Sequence, residues 1–326
     1  MARTVSAVIE RFPVAGVFNI ARGAKRHVDV VTVHIASRGM SACGEATPIY
    51  YHGETAQGVL AQIYAAADAV AGGASRHDLL GILPRGAARN ALDSALWSLE
   101  ARLAGTTPWM LAGLPAPVPV LSAYTISLDD PAGMAAAARA ACNYPLLKLK
   151  LGGQGDADCV AAVRSAAPDA RLIADANESW TGNIAAQAEA LLPFGVELIE
   201  QPVKAGDDHL LDNVRTAIPL CADESCQDRA DLPRLIGRYQ AINIKLDKCG
   251  GLTEALQLAA QARAAGLDIM AGCMLGTSLA IAPAMLIANA SRWADLDGPL
   301  LLARDRSQPI RFQNGLIHPP PPELWG

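Results

Sequence analysis

The segment Leu147-Lys148-Leu149-Lys150-Leu151 alternates strictly, three leucines against two lysines. Side chains of a β-strand point to opposite faces in turn, so the leucines share one face and the lysines the other. In a parallel strand covered by helices, the leucine face packs outward and the lysines look into the sheet's other side. Two like charges in a barrel interior are costly unless an anionic group sits between them or one is neutral. A solvated edge strand would also carry such lysines, but the runs on either side read as buried strands.

The anionic counterparts follow directly. Leu172-Ile173-Ala174-Asp175, Leu198-Ile199-Glu200 and Leu220-Cys221-Ala222-Asp223 each close an apolar run with a carboxylate. Short apolar runs alternate with helical stretches along this region, the pattern of βα units. Strands are expected to begin near Val120, Leu147, Leu172, Leu198, Leu220, Ile242, Ile269 and Ala294. Eight of them imply an α/β fold closed into a (β/α) barrel, with its active site where the strands end. Three carboxylates there, without matching His or Cys donors, suit Mg²⁺, and also Mn²⁺, better than zinc.

Further along, Ala241-Ile242-Asn243-Ile244-Lys245 obeys the same parity: Asn243 and Lys245 face inward. Lys248, at the following turn, has the other parity and reads as a solvated loop residue. Lys245 comes from the wall opposite Lys148 and Lys150, so amines can reach both faces of one substrate carbon, as racemisation or epimerisation requires.

Before the barrel, residues 1–114 read as an α+β unit, joined by a C-terminal return of 304–326; the barrel itself spans 115–303. Val28 to Ile35 is a β-branched run, and a turn between Gly39 and Gly44 leads to a second short strand. The segment after Thr55 is helical. So is Gly86 to Leu103, with Leu92, Leu96, Leu99 and Leu103 on one buried stripe. Pro115, Pro117 and Pro119 mark the boundary.

With 51% hydrophobic and 18% charged residues over 326, the chain can bury a large core and is not disordered. A net charge of −5 gives no basis for a nucleic-acid or membrane partner. Seven scattered cysteines without a Cys-x-x-Cys pair, and no apolar leader, point to reduced thiols in the cytoplasm. The expected partner is a small molecule; a homo-oligomer is compatible with the sequence.

Lys-x-Lys, then Asp175, Glu200, Asp223 and Lys245, resembles the muconate-lactonizing subgroup of the enolase superfamily, over essentially the whole chain. Gly86-Ala-Ala-Arg-Asn-Ala-Leu-Asp and Asp223-Glu-Ser extend the likeness. The resemblance implies a modified barrel under an α+β capping domain, Asp175, Glu200 and Asp223 as Mg²⁺ ligands, and lysines as acid and base. The absence of histidine between Pro219 and Asp297 argues against the mandelate-racemase subgroup.

Within the subgroup the chain is most similar to the dipeptide epimerases, in particular those acting on L-Ala-D/L-Glu in murein metabolism. Ala294-Asp295-Leu296-Asp297 resembles their Asp-x-Asp, which implies that Asp295 and Asp297 hold the substrate ammonium. Ile20-Ala-Arg22-Gly resembles the capping-loop arginine, implying that Arg22 receives the glutamate side chain. Asp175-Ala-Asn-Glu-Ser-Trp180 and Lys245-Leu-Asp-Lys-Cys-Gly-Gly also fit these enzymes. Lys150 and Lys245 are then acid and base, and Lys148 adds charge at the carboxylate. Thr125 and Met274, near strand ends, are candidates for the pocket wall, as are Tyr50, Tyr51 and His52 on a second capping loop. O-succinylbenzoate synthases, cycloisomerases, N-succinylamino-acid racemases and an inactive metal- or peptide-binding protein are the alternatives.

Overall fold

The computed structural model describes residues 3–20 and 23–326, without the side chains of 17–24, so Arg22 lies outside the described residues. Three antiparallel strands open the chain: β1 (Thr4–Ile20), β2 (Gly23–Ser37) and β3 (Met40–Ala46). Arg38 and Gly39, both at positive φ (53° and 77°), make the two-residue turn between β2 and β3. Positive φ at both central positions matches the twist of a tight hairpin.

The helix Ala56–Ala71 begins at Thr55, whose side chain accepts from the Gly58 N–H. It packs with the helix Ala87–Leu103 on one face of the sheet, through Val31, Val33 and Ile35 against Ile63, Leu92 and Leu96. The second helix is not the one-stripe element its leucines suggest. Residues 87–99 and Ala101 are all buried, because the helix is wedged between sheet and barrel. On the sheet side a Cβ at Gly44 would come within 2.2 Å of the Ala91 carbonyl. On the barrel side Arg89 donates to the Cys249 carbonyl (2.6 Å) and Trp97 to Thr253 Oγ1 (2.9 Å).

A short strand β4 (Val120–Leu121) precedes the barrel. It pairs with β14 (Leu316–Ile317), which pairs with β13 (Phe312–Gln313). The strand expected near Val120 is therefore not a barrel strand. The barrel is an eight-stranded parallel sheet in sequence order: β5 (Tyr124–Ile126), β6 (Leu146–Lys150), β7 (Arg171–Asp175), β8 (Val196–Glu200), β9 (Leu220–Ala222), β10 (Ala241–Lys245), β11 (Asp268–Gly272) and β12 (Trp293–Asp295). The Ala123 N–H donates to the Ala294 carbonyl (2.8 Å) across the seam between first and last strands. The tail crosses back to the first sheet. Arg306 pairs with Glu10 (2.7 Å) and Glu45 (2.6 Å), and Trp325 donates to the Ser94 carbonyl (3.0 Å).

Period-two alternation sorts the barrel interior into levels. Ala123, Leu146, Ile173, Leu198, Cys221, Ala241, Met270 and Trp293 form one apolar cluster at the floor. Two residues further along each strand come Thr125, Lys148, Asp175, Glu200, Asp223, Asn243, Gly272 and Asp295. The outward residues, such as Leu147, Leu149 and Ile244, belong to the layer under the helices. One level of the barrel is thus a greasy plug and the next is almost wholly polar. Among the described residues no helix is long and apolar enough to cross a membrane.

Candidate active site

The polar level is sealed from water. Asp175 and Glu200 have no exposed surface, Lys148 has 1% and Asp223 2%. Register fixes their grouping: Lys150 lies beside Asp175, and Asp175 beside Glu200. Lys148 Nζ reaches Glu200 Oε2 (2.5 Å), Asp295 Oδ2 (2.7 Å) and Asp175 Oδ2 (3.1 Å). Lys150 Nζ meets Asp175 Oδ2 (2.6 Å), and Lys245 Nζ meets Asp223 Oδ2 (2.6 Å). Lys150 and Lys245 both lie four residues beyond the floor, on β6 and β10. Four strands apart in a ring of eight, they stand at one height on opposite walls.

Lys248 corrects the reading of a solvated loop residue. It is 1% exposed and donates to Asp223 Oδ1 (2.6 Å) and to the carbonyls of Cys226 (2.8 Å) and Asn243 (3.0 Å). The helical turn Leu246–Cys249 begins right after β10, which breaks the strand's parity and swings this lysine inward. Asn243 faces inward as its parity requires and donates to Glu200 Oε1 (2.7 Å). Its amide fits because Gly272 on β11 has no side chain: a Cβ there would stand 2.3 Å from Asn243 Oδ1. Gly272→Ala is expected to displace this amide and cost about 1–3 kcal/mol, measurable as a lower denaturation midpoint.

Burial disfavours the charged form of Lys148, but Asp175, Asp295 and Glu200 outweigh it and hold the ammonium well above its usual range. Lys245 is likewise held up against burial, chiefly by Asp223. Asp175 is drawn down by Lys148 and Lys150 despite burial. Glu200 bears the imbalance: burial, then Asp175, push it up to about 8. Burial and neighbouring carboxylates disfavour ionisation of Glu200 and Asp297, a penalty that a cation would relieve. Asp175, Glu200 and Asp223 supply the hard oxygen donors that Mg²⁺ or Mn²⁺ prefers, so the residues present fit such an ion. Here lysines take up their oxygens, and among the described residues no three His, Cys, Asp or Glu side chains gather around a common centre.

Above this level opens a cleft lined in part by Lys148, Lys150, Lys245, Thr125, Asp295 and Asp297. Asp295 Oδ1 is buried without a hydrogen-bond partner. Asp297, 4% exposed, follows β12 and accepts from the Thr125 N–H (2.7 Å) through Oδ2. Burial, then the Asp295 carboxylate, push it up to about 7. Tyr50, Tyr51 and Met274 also line the cleft, while His52 Nε2 lies 2.8 Å from Gln227 Oε1, joining the capping loop to the loop after β9.

Two contributors had no signal in the local sequence. Lys25 lines the cleft with its Nζ 3.9 Å from the Tyr50 ring centre, and burial pushes it down to about 8. Gln201 is wholly buried behind the carboxylates. A lysine near the start of β2 and an amide just past the end of β8 look like surface residues until the capping sheet and barrel are assembled.

The family model for the mandelate racemase/muconate lactonizing enzyme N-terminal domain matches residues 2–113, and that for the enolase C-terminal domain-like family matches 132–323. The chain is 44% identical to the L-Ala-D/L-Glu epimerase of Escherichia coli (strain K12) over 319 residues, 97% of this chain and 99% of that one. It is 47% identical over 250 residues to the N-acetyl-D-glutamate racemase of a Pseudoalteromonas species, 76% of this chain and 79% of that one. Among solved structures, an enolase family member from Agrobacterium tumefaciens, with bound sodium and L-Ala-L-Glu, superposes with a TM-score of 0.96 at 48% identity, over 99% of this chain and 100% of that one. Three further dipeptide epimerases, 28%, 31% and 29% identical, are complexes with Mg and a dipeptide.

Proposed function

Because this chain belongs to the mandelate racemase/muconate lactonizing enzyme family of the enolase superfamily, we propose that it epimerises L-Ala-D/L-Glu-type dipeptides at the α-carbon of the C-terminal residue. The observation that carries this reading is the pairing of facing amines, Lys150 and Lys245, with two buried acids, Asp297 and Asp295, the latter with an unpartnered Oδ1. Two facing amines serve inversion at carbon; the acid pair serves a free ammonium.

Asp175, Glu200 and Asp223 would hold Mg²⁺ or Mn²⁺. Such an ion would supply positive charge that offsets the developing enediolate, and Asp223, once committed to it, would hold Lys245 less tightly. Lys148, at the level of these acids, adds charge beside the substrate carboxylate. One of Lys150 and Lys245 takes the α-proton and the other delivers a proton to the opposite face, their roles exchanging with direction. A basic lysine must be neutral in part near pH 7, and added positive charge nearby disfavours its ammonium form. Thr125 donates its N–H to Asp297 and so aims the carboxylate into the cleft. Arg22 is assigned to the glutamate side chain. The cellular role follows as metabolism of murein-derived dipeptides in the cytoplasm, in keeping with seven free cysteines.

L-Ala-L-Glu incubated with enzyme and Mg²⁺ in D₂O should gain deuterium at the glutamate α-carbon as the diastereomer appears. No exchange with any L,L-dipeptide would overturn the reading. Activity should vanish after exhaustive chelation and return with Mg²⁺ or Mn²⁺. Full activity with no metal detectable by elemental analysis would remove the three carboxylates from that role. N-acylamino-acid racemisation is a second reading, favoured by the Pseudoalteromonas relative. Its acylated substrates lack the ammonium that the acid pair awaits.

A further inference from the structure

Gln201 follows Glu200 directly, has no exposed surface, and adopts a positive φ of 37° that non-glycine residues seldom take. That conformation turns its side chain under the strand ends, where every polar atom of the amide is engaged. Oε1 accepts from the backbone N–H groups of Asp223 (2.8 Å) and Ser225 (3.1 Å). Nε2 donates to the Val203 carbonyl (2.8 Å), Ser225 Oγ (2.9 Å) and the Tyr239 hydroxyl (3.2 Å). The backbone takes part as well: the Gln201 carbonyl accepts from the Glu178 N–H (2.8 Å), and the Gln201 N–H donates to the Cys221 carbonyl (2.8 Å). One residue thus joins the loop beyond Asp175, the end of β8 at Glu200, and the backbone of Asp223. Asp223 needs such a hold because it stands just past the end of its strand, where ladder bonds no longer fix the chain.

We propose that Gln201 is the positioning residue of the three-carboxylate cation site, fixing Asp223 relative to Asp175 and Glu200 through its Oε1. It touches neither substrate nor ion. This rests on the reading of Asp175, Glu200 and Asp223 as cation ligands. Ser225 Oγ and the Tyr239 hydroxyl both donate onward to Asp208 (2.6 and 2.7 Å), a branch that steadies the amide without contacting Asp223. The two branches separate positioning from plain stability.

Gln201→Asn suits the test, because asparagine tolerates positive φ while its amide falls one methylene short of the Asp223 N–H. Gln201→Met removes the hydrogen bonds at similar length. Mn²⁺ is titrated calorimetrically into each metal-free protein without substrate, and thermal unfolding is followed in parallel. Both variants should bind Mn²⁺ about 10- to 100-fold more weakly than the parent, the usual cost of losing a residue behind a metal ligand. Tyr239→Phe, which cuts only the stabilising branch, should lower the melting temperature and leave Mn²⁺ affinity unchanged. Unaltered Mn²⁺ affinity in a folded Gln201→Asn would overturn the proposal, as would failure of both Gln201 variants to fold, which would make the residue structural. A parent protein that binds no Mn²⁺ would instead sink the cation-site reading itself.

Discussion

Lys245→Ala and Lys150→Ala are each expected to abolish net epimerisation of Ala-Glu while keeping α-proton exchange with D₂O for one epimer only. The loss should be about 10²–10⁴-fold, the usual worth of a positioned acid or base. The expectation follows from the barrel ring, in which the two amines share a height on opposite walls. A lysine left alone can remove and return a proton on its own face, but no second acid serves the other. With Lys150 serving the L-configured glutamate, as the family resemblance implies, Lys245→Ala exchanges L-Ala-L-Glu and Lys150→Ala exchanges L-Ala-D-Glu. Neither substitution strands a buried carboxylate. Asp223 keeps Lys248 and Asp175 keeps Lys148, so both variants should fold. Proton NMR of each pure epimer with each variant gives the answer. Exchange of both epimers by both variants would eliminate the two-base arrangement.

Asp297→Asn should weaken catalysis and strengthen the fold at the same time. Losing the partner of a buried ammonium costs about 2–5 kcal/mol, so kcat/KM for L-Ala-L-Glu should fall roughly 30-fold or more. Turnover of N-acetylglutamate, if the wild type has any, should not fall. Stability moves the other way. The Asp297 carboxyl is pushed from 3.8 up to about 7, by burial and then by Asp295. Between those values the folded protein binds the proton more tightly than the unfolded chain, so this group's contribution falls as pH rises through the window and is fully unfavourable above 7. Asparagine removes that penalty. The variant should be more stable than wild type at pH 8, less so at pH 5.5 and no more stable near pH 4. Denaturant midpoints at the three pH values check the sign. Equal kcat/KM on the free dipeptide would refute the role of the acid pair; a variant less stable than wild type at pH 8 would refute the burial penalty on Asp297.

The barrel and the side chains of its polar level were legible in the sequence because a strand's period of two is a local rule. Leu147 to Leu151 sorts its own lysines inward, and the apolar runs ending in Asp175, Glu200 and Asp223 mark the C-terminal rim of the barrel without reference to the rest of the chain. Where the period breaks, the local rule fails. Lys248 reads as solvated by parity, yet the turn Leu246–Cys249 carries it into Asp223. Val120 has the apolar character of a barrel strand, yet it pairs with residues near the C-terminus, nearly two hundred positions away.

What the sequence by itself determined is which side chains face inward and in what order the strands present them, since both depend only on alternation and chain order. Only the tertiary structure decided what those side chains meet. That Lys150 and Lys245 stand opposite one another, that Asp295 joins Lys148 across the seam, and that the helix Ala87–Leu103 is buried on both sides all follow from closing the sheet and seating it under the capping domain. The same closure makes the charges matter. In water the lysines and carboxylates would be screened to near indifference. Sealed above an apolar floor, they hold one another in place and leave Asp295 Oδ1 without a partner beside a carboxyl, Asp297, that burial pushes up to about 7.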